Sequence, residues 1–312
     1  MEVYIGFIVK LLPIYFLIAA GYIMGKRLPV KREAISSLLI YLVSPVVIFN
    51  SVFTTKLTTQ TLLLPVIFFA LCSIIAIISY FMNAGVKPPA FRGVLGFAAG
   101  SGNTGYFGLP VALTLFGEAS VGLVVLCVFG YLVYETTVGF FLIARGKNSF
   151  KESIMKLLKL PVLYAFIFAV VAQLAGLNMG QTYLEFVPNF RGAYVLLGSL
   201  LVGIALSELT KTHTEFGAIV RSFVPKFIVW PVLVAALILL DQGYVGLFAG
   251  RVDIYKVAFL MSIVPIAANT VAYATFLKAE PERAAFIVFT STIFAIVYIP
   301  LMISFVLPRV VM

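Results

Sequence analysis

Ten apolar runs of about 20 residues dominate this chain, and they constrain its fold more than any other feature. A helix of that length crosses the roughly 30 Å hydrocarbon core of a bilayer. Apolar residues make up 62% of the chain and charged residues only 11%, whereas a soluble domain is about one quarter charged. We therefore predict an all-α polytopic membrane protein whose transmembrane helices lie near residues 4–24, 34–54, 62–82, 91–116, 119–143, 159–177, 191–209, 218–240, 254–277 and 284–307.

The cysteines and the histidine, the residue types that most often bind metals or form disulfides, do not cluster in the sequence. Cys72 and Cys127 each lie inside an apolar run, and the single histidine, His213, lies in a polar loop. We predict no disulfide, no metal centre and no cofactor. The net charge of +10 does not indicate nucleic acid, because the basic residues occupy short gaps between apolar runs.

Those basic residues divide unequally between the two sides that ten spans define. Sixteen of the 22 lysines and arginines fall in or beside the odd-numbered loops, and six fall on the other side. Basic residues concentrate in cytoplasmic loops. We therefore predict a multi-pass protein of the plasma (inner) membrane, with the odd-numbered loops in the cytoplasm and both termini on the non-cytoplasmic side.

The chain divides into two halves of five spans. The longest predicted cytoplasmic connection, residues 144–158, is a short basic linker between residues 1–143 and residues 159–312. Because each half has an odd number of spans, equivalent halves insert in opposite orientations, which is the inverted-repeat arrangement of many secondary transporters. The fourth span of each half carries an Asn-Thr pair with a nearby proline, first in residues 103–110 and then in residues 265–270.

These two spans are predicted to be interrupted near the bilayer midplane. Proline removes a backbone N–H, and glycine permits conformations closed to other residues. Half-helices would begin near Pro110 and near Asn269-Thr270, and their N-termini would offer N–H donors and partial positive charge to a carboxylate. The predicted helix-break residues are Gly102, Gly105, Gly108, Pro110 and Pro265, and the predicted substrate-binding residues are Ser101, Asn103, Thr104, Tyr106, Asn269 and Thr270.

A structural alternative stays open for each interruption taken alone. Kinks at proline and small residues are common in membrane helices, where they permit close packing. The pairing of two such breaks at equivalent places favours a binding site.

Two of the ionisable residues inside the predicted spans, Glu135 and Lys226, bear on coupling and on the charge of the site. Glu135 lies near the middle of the fifth span, where a carboxylate is costly and functional by default. We expect it to carry a coupling proton or to help hold a coupling ion; a fixed hydrogen bond within the bundle is the alternative. Lys226 is expected to snorkel to the cytoplasmic surface, so no buried cation is expected to face a second carboxylate.

The sequence Asn103-Thr104-Gly105-Tyr106-Phe107-Gly108-Leu109-Pro110, with Ser44-Pro45 and Pro265…Asn269-Thr270, resembles the auxin efflux carrier family, and the short bacterial members in particular. The resemblance covers the whole chain. It implies a scaffold domain and a transport domain with two crossing broken helices, elevator-type movement and a homodimer. It also implies transport of small organic anions such as malonate or malate. The candidate coupling ion, H⁺ or Na⁺, is left open by the residues.

Other function classes are weighed against this one. An intramembrane protease would need a histidine base or a His-Glu-x-x-His site in the membrane, and an ATP-driven pump would need a Walker loop; the sequence has neither. A channel or a nontransporting sensor on the same scaffold stays open. The sequence also leaves open a dicarboxylate, a branched or aromatic monocarboxylate, or an indole acid as substrate, and uniport instead of coupled transport.

Overall fold

The computed structural model describes residues 2–144, 155, 158–208 and 216–311, and no strand occurs among these residues. Most of the predicted linker, residues 144–158, lies outside the described residues, and so does His213. We number the helices α1 (Glu2–Arg27), α2 (Arg32–Thr54), α3 (Thr59–Met82), α4 (Pro89–Gly100), α5 (Leu109–Phe116), α6 (Glu118–Ala144), α7 (Pro161–Leu174), α8 (Gln181–Ser207), α9 (Phe216–Val245), α10 (Val252–Ile263), α11 (Asn269–Phe276) and α12 (Pro281–Val310).

The helical, polytopic character predicted from the apolar runs is confirmed. Seven of the described helices are long and apolar enough to cross a membrane, and α7 is a shorter apolar helix. The fourth and ninth predicted spans are each built from two short helices, α4 with α5 and α10 with α11. The inverted relation between the two halves stays a prediction.

The helices pack in two sets around these interrupted segments. In the first set, α1 packs along α8 and α2 packs against both α7 and α8. In the second set, α3 packs on α4 and α6, while α9 contacts α10 and α12. The turn that leads into α5, Thr104–Gly108, contacts α8 of the first set. The interrupted helices therefore lie where the two sets meet.

Two glycines let α1 and α8 approach closely. A Cβ added at Gly21 would collide with the backbone of Leu200, and one added at Gly203 would collide with the backbone of Ile18. Membrane helices associate through such small residues because lipid gives no hydrophobic drive for their contact.

We expect Gly203→Ala to destabilise the folded protein by about 1–3 kcal/mol, because the added methyl overpacks a contact made by rigid backbone. The matched control is Gly192→Ala in the same helix, where nothing lies within 4 Å of the new Cβ. Thermal unfolding of the detergent-solubilised variants measures the difference. Equal unfolding temperatures for both variants would contradict the close α1–α8 contact.

Candidate functional site

The first interruption opens the chain between α4 and α5. The α-helical hydrogen bonding of α4 ends at Gly100, and Ser101 is extended, with φ −88° and ψ 163°. Helical structure resumes at Thr104 as one wide turn, Thr104–Gly108, in which the Gly108 N–H donates to the Asn103 carbonyl at 2.9 Å. The α-helix α5 then begins at Leu109 with Pro110 in its first turn, so the predicted start near Pro110 is confirmed, and the wide turn extends the helical segment back to Thr104.

The second interruption lies between α10 and α11, and the two interruptions cross. Residues 264–268 are not helical, and α11 begins at Asn269, as predicted. The Asn103 N–H donates to the Pro265 carbonyl at 2.8 Å. The two unwound segments thus pair through their backbones, which satisfies polar groups that hydrocarbon would leave without partners.

Side chains from α6 and α9 hydrogen-bond the carbonyls at the ends of α4 and α10. The Trp230 indole N–H donates to the Ala99 carbonyl at 2.7 Å, and the Tyr134 hydroxyl donates to the Phe97 carbonyl at 3.0 Å. The Tyr131 hydroxyl donates to the Met261 carbonyl at 2.9 Å. Helix C-termini leave carbonyls without intrahelical partners, so these aromatic donors stabilise both interruptions.

A cavity of about 290 Å³ adjoins the crossing. Both interrupted segments contribute to its wall, together with α2, α6 and α8. The predicted site residues that line it are Gly102, Asn103, Thr104, Gly105, Tyr106, Glu135 and Asn269. Asn103 also lines a neighbouring cavity of about 200 Å³, and its carboxamide makes no hydrogen bond with any residue that the structure describes. An unengaged carboxamide at a cavity wall can both donate to and accept from a ligand.

The structure joins Glu135 to the second interruption. The Asn269 carboxamide donates to Glu135 Oε2 at 2.6 Å, although the two residues are far apart in sequence. Glu135 is buried, and it begins a wide turn in α6, Glu135–Gly139. Such π-type turns are frequent at functional sites. The predicted coupling residue and one predicted binding residue therefore form a single polar unit.

Two predicted binding residues lie behind the cavity wall. The hydroxyls of Ser101 and Thr270 are 3.4 Å apart, and both residues are fully buried. They link the two interrupted segments and are not among the residues that line the cavity. Ser101 and Thr270 therefore contact each other across the crossing. Gly108 and Pro265 likewise hold the crossing, since a Cβ at Gly108 would lie 3.1 Å from Met261.

Aromatic side chains form part of the cavity wall. Tyr106 packs on Tyr194 of α8 with ring centroids 6.0 Å apart, and Tyr273 lines the cavity from α11. Phe107, the next residue after Tyr106, is fully buried in the core and absent from the lining. Tyr194 was not predicted, because no local sequence pattern around it differs from an ordinary membrane helix.

The expectation that Lys226 snorkels is wrong. Lys226 is 0% exposed, and its Nζ donates to the Ser101 carbonyl at 2.8 Å. It lies ten residues into α9, about 15 Å along the helix axis, which is beyond the reach of a lysine side chain to the helix end. Without Lys226 the basic residues divide fifteen against six, so the predicted orientation does not depend on it.

The burial of this lysine is compensated by its contacts. A lysine at the centre of a membrane helix costs about 3 kcal/mol on insertion scales. A hydrogen bond from a charged donor contributes about 1.5–3 kcal/mol. The ring centroids of Trp230 and Tyr131 lie 5.4 and 5.8 Å from Nζ, and a desolvated cation–π contact adds up to about 2 kcal/mol.

Arg32 is a second basic residue that the sequence did not single out. It lines both cavities from the start of α2, and it pairs with Glu208 at the end of α8 at 3.1 Å. The guanidinium is partly exposed. The larger cavity therefore extends from the crossing towards residues that border the predicted cytoplasmic loops.

Comparison with known proteins gives the chain a family. A family model described as a membrane transport protein matches residues 6–303. An uncharacterized transporter of Methanocaldococcus jannaschii, MJ1031, is 27% identical over 239 residues, which cover 70% of this chain and 74% of that relative. The family-model match extends over both interrupted helices, and both comparisons indicate membrane transport.

Proposed function

Because this chain belongs to the auxin efflux carrier family of membrane transport proteins, we propose that it is a secondary carrier of small organic anions. The carboxylate binds in the cavity beside the crossing of the two interrupted helices. Transport proceeds by elevator-type alternating access, in which the set of helices that contains the crossing moves against the set formed by α1, α2, α7 and α8. The carrier works as a homodimer in the plasma membrane, with both termini outside.

The single observation that carries this proposal is the crossing itself, with its cavity. Two helix N-termini, at Thr104 and Asn269, meet beside a space of about 290 Å³. The first N–H groups of a helix have no intrahelical partners and favour anions. In secondary transporters, half-helix N-termini of this kind face anionic substrate groups. The free carboxamide of Asn103 adds a donor at the same wall.

Glu135 supports proton coupling in this proposal. It is the acidic residue that the described cavity wall contributes, and its partner Asn269 opens α11. A change in the protonation of Glu135 alters the hydrogen bond that it shares with Asn269. The Asn269 carboxamide can donate to either form of the carboxyl group, but it can accept only from the protonated form. Proton binding and the geometry of the second half-helix are thereby linked.

Counterflow in proteoliposomes tests the proposed function. Vesicles are preloaded with unlabelled organic acids, and the uptake of labelled malonate and labelled indole-3-acetate is followed. We expect at least one preloaded acid to accelerate the uptake of a labelled acid, and we expect this uptake to saturate. A carrier exchanges substrate in this way because its binding site returns to the outer face with unlabelled acid bound. A channel gives no accelerated exchange. If folded protein shows no exchange with any acid of the panel, the proposal fails.

A further inference from the structure

A fully buried lysine lies directly behind the cavity wall, and the proposed function has so far given it no part. Lys226 Nζ hydrogen-bonds the Ser101 carbonyl, which is the first backbone acceptor of the interruption after α4. Among the described residues no carboxylate lies within 4.0 Å of this nitrogen. The amine is therefore contacted by a backbone carbonyl and two aromatic rings, and Glu135 interacts with it electrostatically from beyond 4.0 Å.

The position of the amine depends on Gly102. A Cβ at Gly102 would lie 3.0 Å from Lys226 Nζ and 3.1 Å from the Tyr131 ring. Gly102 and Tyr131 both line the cavity. One residue without a side chain thus separates the amine from the space in which the carboxylate is proposed to bind.

The surroundings of the amine are those of a cation site made from backbone. The C-terminal ends of α4 and α10 both terminate at the crossing, and helix C-termini carry partial negative charge. Two other acceptors there, the carbonyls of Ala99 and Met261, are already bonded to Trp230 and Tyr131. The described residues hold no group of three or more acidic, histidine or cysteine side chains that could bind a metal ion.

We propose that the Lys226 ammonium is a built-in cation of the transport site, which occupies the place of an exchangeable Na⁺ at the crossing and attracts the substrate anion. The inference rests on the proposed function and gives its coupling a definite form: the carrier binds its anion without Na⁺. Lys226 is a positioning residue, because it holds the Ser101 carbonyl and acts on the substrate across Gly102. Its charge acts through a medium of low dielectric, where charges interact strongly.

Two neutral variants separate the charge of Lys226 from its hydrogen bond. Lys226→Gln keeps a donor for the Ser101 carbonyl, whereas Lys226→Met removes both charge and donor. We expect both variants to raise the half-saturating concentration of labelled malonate or indole-3-acetate in counterflow by about tenfold or more, equivalent to about 1.4 kcal/mol. Lys256→Met, which changes an exposed lysine of α10, is the matched control and should leave it unchanged.

The cation dependence of the wild type is the second measurement. Exchange should proceed at the same rate in Na⁺ and in choline media. A requirement for Na⁺, or a wild-type half-saturating concentration in Lys226→Gln, would overturn the inference while leaving the proposed function intact. If both variants fail to give monodisperse protein, the Na⁺ comparison still decides. Absence of exchange by the wild type would instead overturn the proposed function, and this inference with it.

Discussion

Asn103→Ala is expected to abolish carboxylate exchange while the protein stays folded. The carboxamide of Asn103 faces both cavities and makes no hydrogen bond with the described residues, so its removal breaks no hydrogen bond among them. The hydrogen bond from the Asn103 N–H to the Pro265 carbonyl belongs to the backbone and survives the substitution. What is lost is the bonding between the side chain and the substrate.

The size of this loss follows from the charge of the substrate. A hydrogen bond to an ionised group contributes about 1.5–3 kcal/mol, and a carboxamide can donate two. Loss of both lowers the exchange rate at low substrate concentration by about a hundredfold or more. Counterflow of labelled malonate and labelled indole-3-acetate measures this rate beside the wild type.

An asparagine outside the site provides the matched control. Asn189 is exposed on α8, and Asn189→Ala should exchange substrate like the wild type. Size-exclusion profiles and unfolding temperatures show whether each variant is folded. Normal exchange by folded Asn103→Ala protein would remove the crossing from the substrate path.

Glu135→Gln is expected to separate exchange from the proton gradient. Glutamine keeps an oxygen that accepts the hydrogen bond from Asn269, so the contact between α6 and α11 is retained. It cannot take up a proton, however. We therefore expect uptake of labelled malonate driven by an imposed pH gradient to fall to the level seen without a gradient, a loss of about tenfold or more, while counterflow without a gradient persists.

The groups around Glu135 make this test specific. Asn269 and Tyr273 face the carboxylate's region from α11, Lys226 acts on it from α9, and Thr136 lines the same wall. A protonophore added to wild-type vesicles should reproduce the effect of the variant. Glu185→Gln, an exposed change in α8, serves as the control. Gradient-driven uptake that persists in Glu135→Gln would exclude this residue as the proton carrier.

The interruptions were predictable because their causes are local. A proline lacks its N–H wherever it lies, and a run of glycines weakens a helix in any context. The residues at the openings could therefore be named from the sequence, including the start of α11 at Asn269. The α-helix after the first interruption likewise begins at Leu109, next to Pro110, but the wide turn Thr104–Gly108 that precedes it was not predicted.

The roles within the predicted set could not be read in the same way. Asn103 and Ser101 are two residues apart, yet one faces the cavity and the other contacts Thr270 behind its wall. In an unwound segment the side chains follow no helical period, so spacing does not assign them to a face. The backbone pairing of Asn103 with Pro265 fixes these directions, and it joins residues from opposite halves of the chain.

The sequence by itself determined that this chain is a polytopic helical membrane protein with two opened helices, because hydrophobic length and the chemistry of proline and glycine act on neighbouring residues. Only the tertiary structure decided that Glu135 contacts Asn269 and that Lys226 is buried against Ser101. The environment of a charged side chain depends on which distant backbone it meets. For Lys226 that environment is a carbonyl freed by the opening of another helix, and no pattern within α9 encodes it.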